Sequence, residues 1–379
     1  MERIFDDFEK RYTEAKKHGM SNFSFLNNSD WPIMDFSRKK IEEYVANSEC
    51  DNDFLKSLKS ETDKQHDSAL FELLVFTILK NSGLSIQKHP ILNNGRKPDF
   101  LINNDPKIYL ECTLSSSAYE KEDIKARKMA VLKILDQIEY SPYWICITFI
   151  EISNQSISKK TLLNFISNIS SICESYTDEE LRNIYFDLES NGWEIEFTLL
   201  RKNNKSIKTS LGSITDGAKV INKTKPLLTA LNDKRARNYG IDSTPYLICV
   251  SVDDVTIKDD DFIELLFGVY HNHTINLGNN NSGFFLKNKI PINTSVSGII
   301  FFKNFDLISL ENAEIFIWNN PFAKNNLPKH ILPFNEINFK TEGNYFHKSI
   351  VKNGFDIYKL LNIDRSYYES IVKKRSMTY

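Results

Sequence analysis

The sequence has no Cys-x-x-Cys pair, no apolar run approaching the roughly 20 residues that span a bilayer, and almost no net charge, and each absence removes a class of protein. Its five cysteines, Cys50, Cys112, Cys146, Cys173 and Cys249, are scattered and odd in number. Three of them lie in apolar strand-like runs, so a reducing, cytoplasmic setting is expected and a zinc knuckle is not. The early charges Glu2, Asp6, Asp7 and Glu9 flank no apolar core of a signal peptide, which argues against export or membrane insertion. There is no repeat at a fixed period, no low-complexity tract and no obvious linker. Helix-turn-helix, zinc-finger and RNA-recognition signatures are missing as well.

What is present is a chain of 379 residues, 41% hydrophobic and 26% charged, long enough for layered cores in two lobes. The formal charge of -2 hides a polarised distribution. Arg201 to Arg237 carries ten Lys/Arg against Asp216 and Asp233, whereas Asp253 to Glu264 carries six acids against Lys258. A polyanion would meet one basic strip on an otherwise neutral protein.

Residues 1–65 mix short amphipathic stretches with polar turns and read as a helical cap. The run Ser68 to Lys80, SALFELLVFTILK, is nearly apolar all round and stops at Asn81-Ser82-Gly83, so it predicts a buried helix. Short β-type runs follow around Ile86, Phe100 to Ile102 and Ile108 to Thr113, punctuated by Asn93-Asn94-Gly95 and Asn103-Asn104-Asp105-Pro106. A helix from about Tyr119 to Tyr140 and the strand Tyr143 to Ile150 come next, and this order suggests a right-handed crossover in one sheet. A helix at Lys159 to Cys173 precedes a hairpin turning at Asn191-Gly192. A helix at Pro226 to Tyr239, the strand from Tyr246, a short helix at Phe262 to Phe267 and two late strands complete a second α/β theme. The Asn-rich stretch Tyr270 to Ser297 reads as a loop. The expected organisation is a cap (1–65), an α/β core with a central mixed sheet flanked by helices (66–180), a second α/β lobe packed on it (181–335) and a helical tail (336–379).

Carboxylates are concentrated where strands begin and end. Glu72 sits on the buried helix, Asp99 follows Pro98 at a strand start, and Glu111 precedes Cys112 and Thr113 at a strand end. Side chains alternate along a strand, so Tyr109, Glu111 and Thr113 share a face. Hydrolysis of a phosphodiester calls for hard oxygen ligands that hold Mg²⁺, activate water and offset charge on the phosphate, and Asp99 and Glu111 meet that need. Thr113, on the face of Glu111, is a further catalytic candidate through its hydroxyl or a bound water. Each residue also has a plainer explanation: Glu72 as a surface acid beside a buried stripe, Thr113 as an ordinary β-former. His271 and His273 lack a third ligand at a sensible spacing for zinc, and Asp253 with Asp254 reads as a turn.

The helix glutamate, the PD turn and the E-x-T strand resemble the PD-(D/E)XK nuclease superfamily, with Thr113 where that motif has lysine. The resemblance implies a restriction-endonuclease-like fold and a nuclease dependent on Mg²⁺, with Mn²⁺ able to substitute. It gives Asp99, Glu111 and the Cys112 carbonyl to the metal, and Glu72 to a second ion or a ligand water. Some members carry the lysine on the following helix, where Lys128 lies on the stripe Ile124, Val131, Leu135, Ile138. Lys125, Lys223, Lys225, Lys234, Arg235 and Arg237 are the expected phosphate-tracking residues, DNA being favoured over RNA. A homodimer or a partner in a defence system, and a role in restriction, fit the same family analogy. The competing reading is a nuclease-like module that binds nucleic acid or a protein without cutting. The blocks SALFEL, PDFLI, YLECT, NGWEIEF, SGIIFF and WNNPFAKNNLP are also similar to those of a group of uncharacterised bacterial proteins of about this length.

Overall fold

The first five residues of strand Gly298–Lys303 are all buried, so both faces of that strand must be covered. Successive phenylalanines show how. Phe301 stacks on Phe262 of helix Asp259–Phe267, ring centroids 4.2 Å apart, while Phe302 meets Phe71 of helix Asp63–Asn81 edge-on at 5.2 Å. Strand Tyr246–Val252, buried at all seven positions, pairs alongside it in parallel. A sheet with helices on both faces is therefore dictated by runs that are apolar without alternation.

The computed structural model describes residues 3–7, 13, 16–17, 19–115, 122–138, 141–203, 210–216, 224–254, 256–268, 270–271, 274–275, 282–342 and 345–376. The chain forms two compact units. One comprises residues 1–11, 22–117 and 222–379, the other residues 12–21 and 118–221. The boundary expected near 180 falls inside the second unit, and what was read as a core and a following lobe is one unit interrupted in sequence by the other. Among the described residues, no helix is long and apolar enough to cross a membrane.

The first unit holds a mixed sheet of eight strands whose spatial order is also their chain order: Ile86–Lys88, Phe100–Ile102, Ile108–Ser115, Tyr246–Val252, Gly298–Lys303, Glu314–Asn319, Asn335–Glu342 and Tyr345–Val351. The first three form an antiparallel meander, and Ile108–Ser115 then pairs in parallel with Tyr246–Val252. The connection between that parallel pair contains residues 118–221 of the second unit and then the helices Thr224–Asp233 and Ala236–Tyr239. Two sequence expectations are corrected here. Strand Tyr143–Glu151 does not join this sheet through a crossover from Ile108–Ser115, because it lies in another sheet. Residues 336–379 are no helical tail either, since they include the last two strands of the main sheet before the helices Ile357–Leu360 and Arg365–Ser376. Ile337 and Phe339 alternate with Glu336, Asn338 and Lys340, which is the period of a strand.

In the second unit, four strands run in the order Phe186–Ser190, Trp193–Arg201, Tyr143–Glu151, Leu211–Asp216. Tyr143–Glu151 and Trp193–Arg201 both alternate buried with half-buried residues, the pattern of a sheet covered on one face. Leu162, Ile166 and Ile169 of helix Lys159–Cys173 cover it. Asn191 and Gly192, both at positive φ (52° and 78°), make the two-residue hairpin turn that their sequence suggests.

Candidate active site

The register of the meander assembles the acidic site. Ile86 to Lys88 pair with Ile102 to Phe100, and the ladder runs one step further: the His89 N–H donates to the Asp99 carbonyl at 2.9 Å. On the other side Phe100 pairs with Leu110, so the next residues outward, Asp99 and Glu111, also stand opposite each other. Their spacing of twelve is thus the spacing of cross-strand partners around the turn at Asn103 to Pro106. His89, Asp99 and Glu111 fall in one row across three neighbouring strands, and Glu72 reaches the same end of the sheet from helix Asp63–Asn81.

The contacts are specific. The Asp99 N–H donates to Glu111 Oε2 at 3.1 Å, and the Cys112 N–H donates to Asp99 Oδ2 at 2.6 Å. Glu111 is 2% exposed, and its Oε1 accepts from the Lys234 ammonium and, at 2.6 Å, from the Tyr239 hydroxyl. The Tyr246 hydroxyl donates to the Lys234 carbonyl at 2.7 Å, which fixes the backbone that presents the lysine. Glu72 Oε1 is buried without a hydrogen-bond partner, 3.4 Å from His89 Nε2. One donor atom from each of Glu72, His89 and Asp99 lies within 4.8 Å of the others.

The charges respond to this crowding. Burial raises the Glu72 carboxyl to about 7, Lys88 pulling it down and Glu111 pushing it up. Asp99 is raised well above the ordinary carboxyl range, first by burial and then by Glu111 and Glu72. Burial and Lys88 lower His89, keeping its imidazole neutral. For Lys234 burial acts downward, but Glu111 outweighs it and the ammonium is held above its ordinary value. Two carboxyls that resist ionisation, one of them with an unpartnered oxygen, beside a neutral imidazole are a donor set that a divalent cation would satisfy. Two oxygens and one nitrogen suit Mn²⁺ or another first-row ion at least as well as Mg²⁺, which prefers oxygen alone.

The structure gathers Glu72, Asp99 and Glu111 from the expected residues and adds Lys234, expected to contact phosphate backbone, as the cation at Glu111. Cys112 contributes its N–H to Asp99. Thr113 is half-buried two positions beyond Glu111. Lys128 is buried as its stripe predicts, but in the second unit, where its ammonium lies 5.3 Å from the centre of the Phe149 ring. Lys125 also belongs to that unit, and both Lys125 and Lys225 are exposed. Lys223 and His273 lie outside the described residues. His89 and Tyr239 were not foreseen. For His89 a signal existed: a hairpin centred on Asn94 pairs residue 89 with residue 99, and the turn Asn93-Asn94-Gly95 marks that centre.

No protein-family model, curated protein or solved structure matches this chain.

Proposed function

We propose that the chain is a metal-dependent nuclease that hydrolyses phosphodiesters, with DNA as the favoured substrate and a role in restriction or defence against foreign DNA suggested by analogy with the PD-(D/E)XK superfamily. The observation that carries the reading is the convergence, within one unit, of Glu72, His89 and Asp99 as a donor set with the Glu111–Lys234 ion pair beside it. Lys234 supplies the cation that Thr113 cannot, and it comes from the end of the helix that follows the acidic strand in this sheet.

Glu72, His89 and Asp99 would hold the cation, whose chemistry is to polarise a phosphoryl oxygen and acidify a bound water. Asp99 is oriented for this by the Cys112 N–H. Glu111, engaged by Asp99, Lys234 and Tyr239, positions the ammonium, and Lys234 stays protonated to steady charge developing on the phosphate. The neutral Tyr239 hydroxyl, raised by burial and by Glu111, shares the load on the same carboxylate oxygen.

The test is incubation of the protein with plasmid, single-stranded DNA and RNA in Mn²⁺, Mg²⁺ or EDTA, beside Asp99→Asn and Lys234→Met. Metal-dependent cleavage lost in both variants supports the proposal. A wild type that shifts nucleic acid in a gel and never cuts it would replace this reading with the binding module.

A further inference from the structure

The turn that presents Lys234 and Tyr239 to Glu111 has a second side. Arg235 and Arg237, on the same turn, line a cavity of about 480 Å³ together with Lys287, Ser282, Thr294 and Ser295. Among the described lining residues there is no carboxylate. Arg235 is steadied by a neutral acceptor, its Nε donating to Asn232 Oδ1 at 2.9 Å. Burial and the neighbouring Arg237 both act against its charge, Asp233 only partly offsetting them. Two guanidiniums, an ammonium and three hydroxyls around one cavity form a donor surface with no anionic partner among the described lining residues.

The wall opposite the arginines is rigidly placed. Phe284 and Phe285 donate their N–H groups to the Leu265 and Leu266 carbonyls at 2.8 and 2.7 Å, which ties this segment to the end of helix Asp259–Phe267. Gly283 sits against it so closely that a Cβ would come within 2.5 Å of the Leu266 carbonyl group. The short strands Leu286–Lys287 and Ile290–Pro291 then carry Lys287 to the rim. The cavity is therefore built from two anchored segments and not from the chance proximity of surface lysines.

We propose that this pocket binds one phosphate-bearing nucleotide of a single nucleic-acid strand, whose neighbouring phosphodiester lies at the Glu111–Lys234 centre. The proposal rests on the nuclease reading for the position of the scissile bond. Its volume is that of a small-ligand site, sized for a nucleotide and not for a duplex. Its donors match phosphate oxygens, and the apolar surface of Pro291 and Ile292 gives a base something to lie on. Because adjacent residues of one turn serve the site and the pocket, a strand can engage both without a hinge.

The experiment is fluorescence anisotropy in EDTA with a short labelled single-stranded DNA, the matching duplex and inorganic phosphate as competitor. Wild type, Lys287→Glu and the double variant Arg237→Glu/Lys287→Glu are compared, both of these basic side chains being exposed. Single strands are expected to bind about tenfold more tightly than duplex, and Lys287→Glu to fall between wild type and the double variant. The double variant is expected to bind at least tenfold more weakly, with its salt slope reduced by about 1.4, two single-strand phosphate contacts' worth. Equal binding by double variant and wild type, or a preference for duplex, would overturn the proposal. Cleavage in Mn²⁺ is scored separately. Pocket-dependent binding without any cutting sinks the nuclease reading alone, and cutting with pocket-independent binding sinks the pocket alone.

Discussion

Lys234 ion-pairs with Glu111 across 123 residues of chain. Both ends of that separation flank residues 118–221 of the second unit, so the helix that follows the acidic strand in the sheet is not the helix that follows it in the sequence.

This distinction separates two lysines. Lys234→Met should reduce cleavage on the order of 10²- to 10³-fold, the range for removing one preorganised donor at a developing charge. It should also destabilise the protein by about 2 kcal/mol, because Glu111 stays buried and loses a charge-assisted hydrogen bond. Lys128→Met should leave cleavage within about threefold of wild type and alter only the second unit's packing, with its ammonium lost from Phe149. The reverse pattern in a single-turnover assay would return the catalytic role to Lys128.

The imidazole in the donor set should show in metal choice. Isothermal titration of the resting protein is expected to give tighter binding of Mn²⁺ than of Mg²⁺, and His89→Ala should weaken Mn²⁺ by on the order of tenfold or more while changing Mg²⁺ less. Mg²⁺ binding that depends equally on His89 would count against the nitrogen ligand.

In EDTA, Glu72 should make stability fall as pH rises. Its carboxyl titrates at about 7 in the folded protein against 4.5 ordinarily, because of burial first and then Glu111, with Lys88 opposing. Below 4.5 both folded and unfolded chains hold the proton, and its contribution is complete. Between 4.5 and 7 the unfolded chain releases it first, so the contribution is lost progressively, and above 7 the loss levels off. Glu72→Gln lacks this dependence. The difference in unfolding free energy, variant minus wild type, should therefore climb through that window, reaching a gain on the order of 3 kcal/mol. A difference that stays flat with pH would show that Glu72 is not held in this way.

Much of the acidic site could be read in advance, for reasons visible in particular residues. Glu72, Asp99 and Glu111 lie within 40 positions of one another (111 − 72 = 39), on elements whose turns and apolar runs are plain. Strand Tyr246–Val252 and helix Lys159–Cys173 follow equally from local pattern. Sheet membership did not, because the helix and strand at 122–151 have the local grammar of a crossover whichever sheet they join, and only long-range pairing decides. Lys234 was assigned to phosphate contacts for the same reason: without the topology it is one cation in a basic strip. The strands at 335–351 were missed although their alternation was there to be seen.

Gly283→Ala tests the anchored wall directly. The added methyl would meet Leu266 carbonyl atoms and the Gly268 nitrogen at 2.5 Å, all backbone and none able to swing aside. A loss of about 1–3 kcal/mol is expected in urea unfolding, accompanied by weaker single-strand binding. An unchanged midpoint would mean that the segment shifts freely.

The split connection also sets an order of events during synthesis. The parallel pair at the heart of the large sheet joins Ile108–Ser115 to Tyr246–Val252, so the earlier strand waits for 130 further residues to be made (245 − 115). At roughly 5–20 residues per second that delay is on the order of ten seconds. The four strands at 143–216 are all made within that interval and, among the described residues, pair only with one another. A nascent chain should therefore acquire protected amides in the later-starting unit first, while the strand bearing Glu111 waits, its edge open, for a partner the ribosome has yet to deliver.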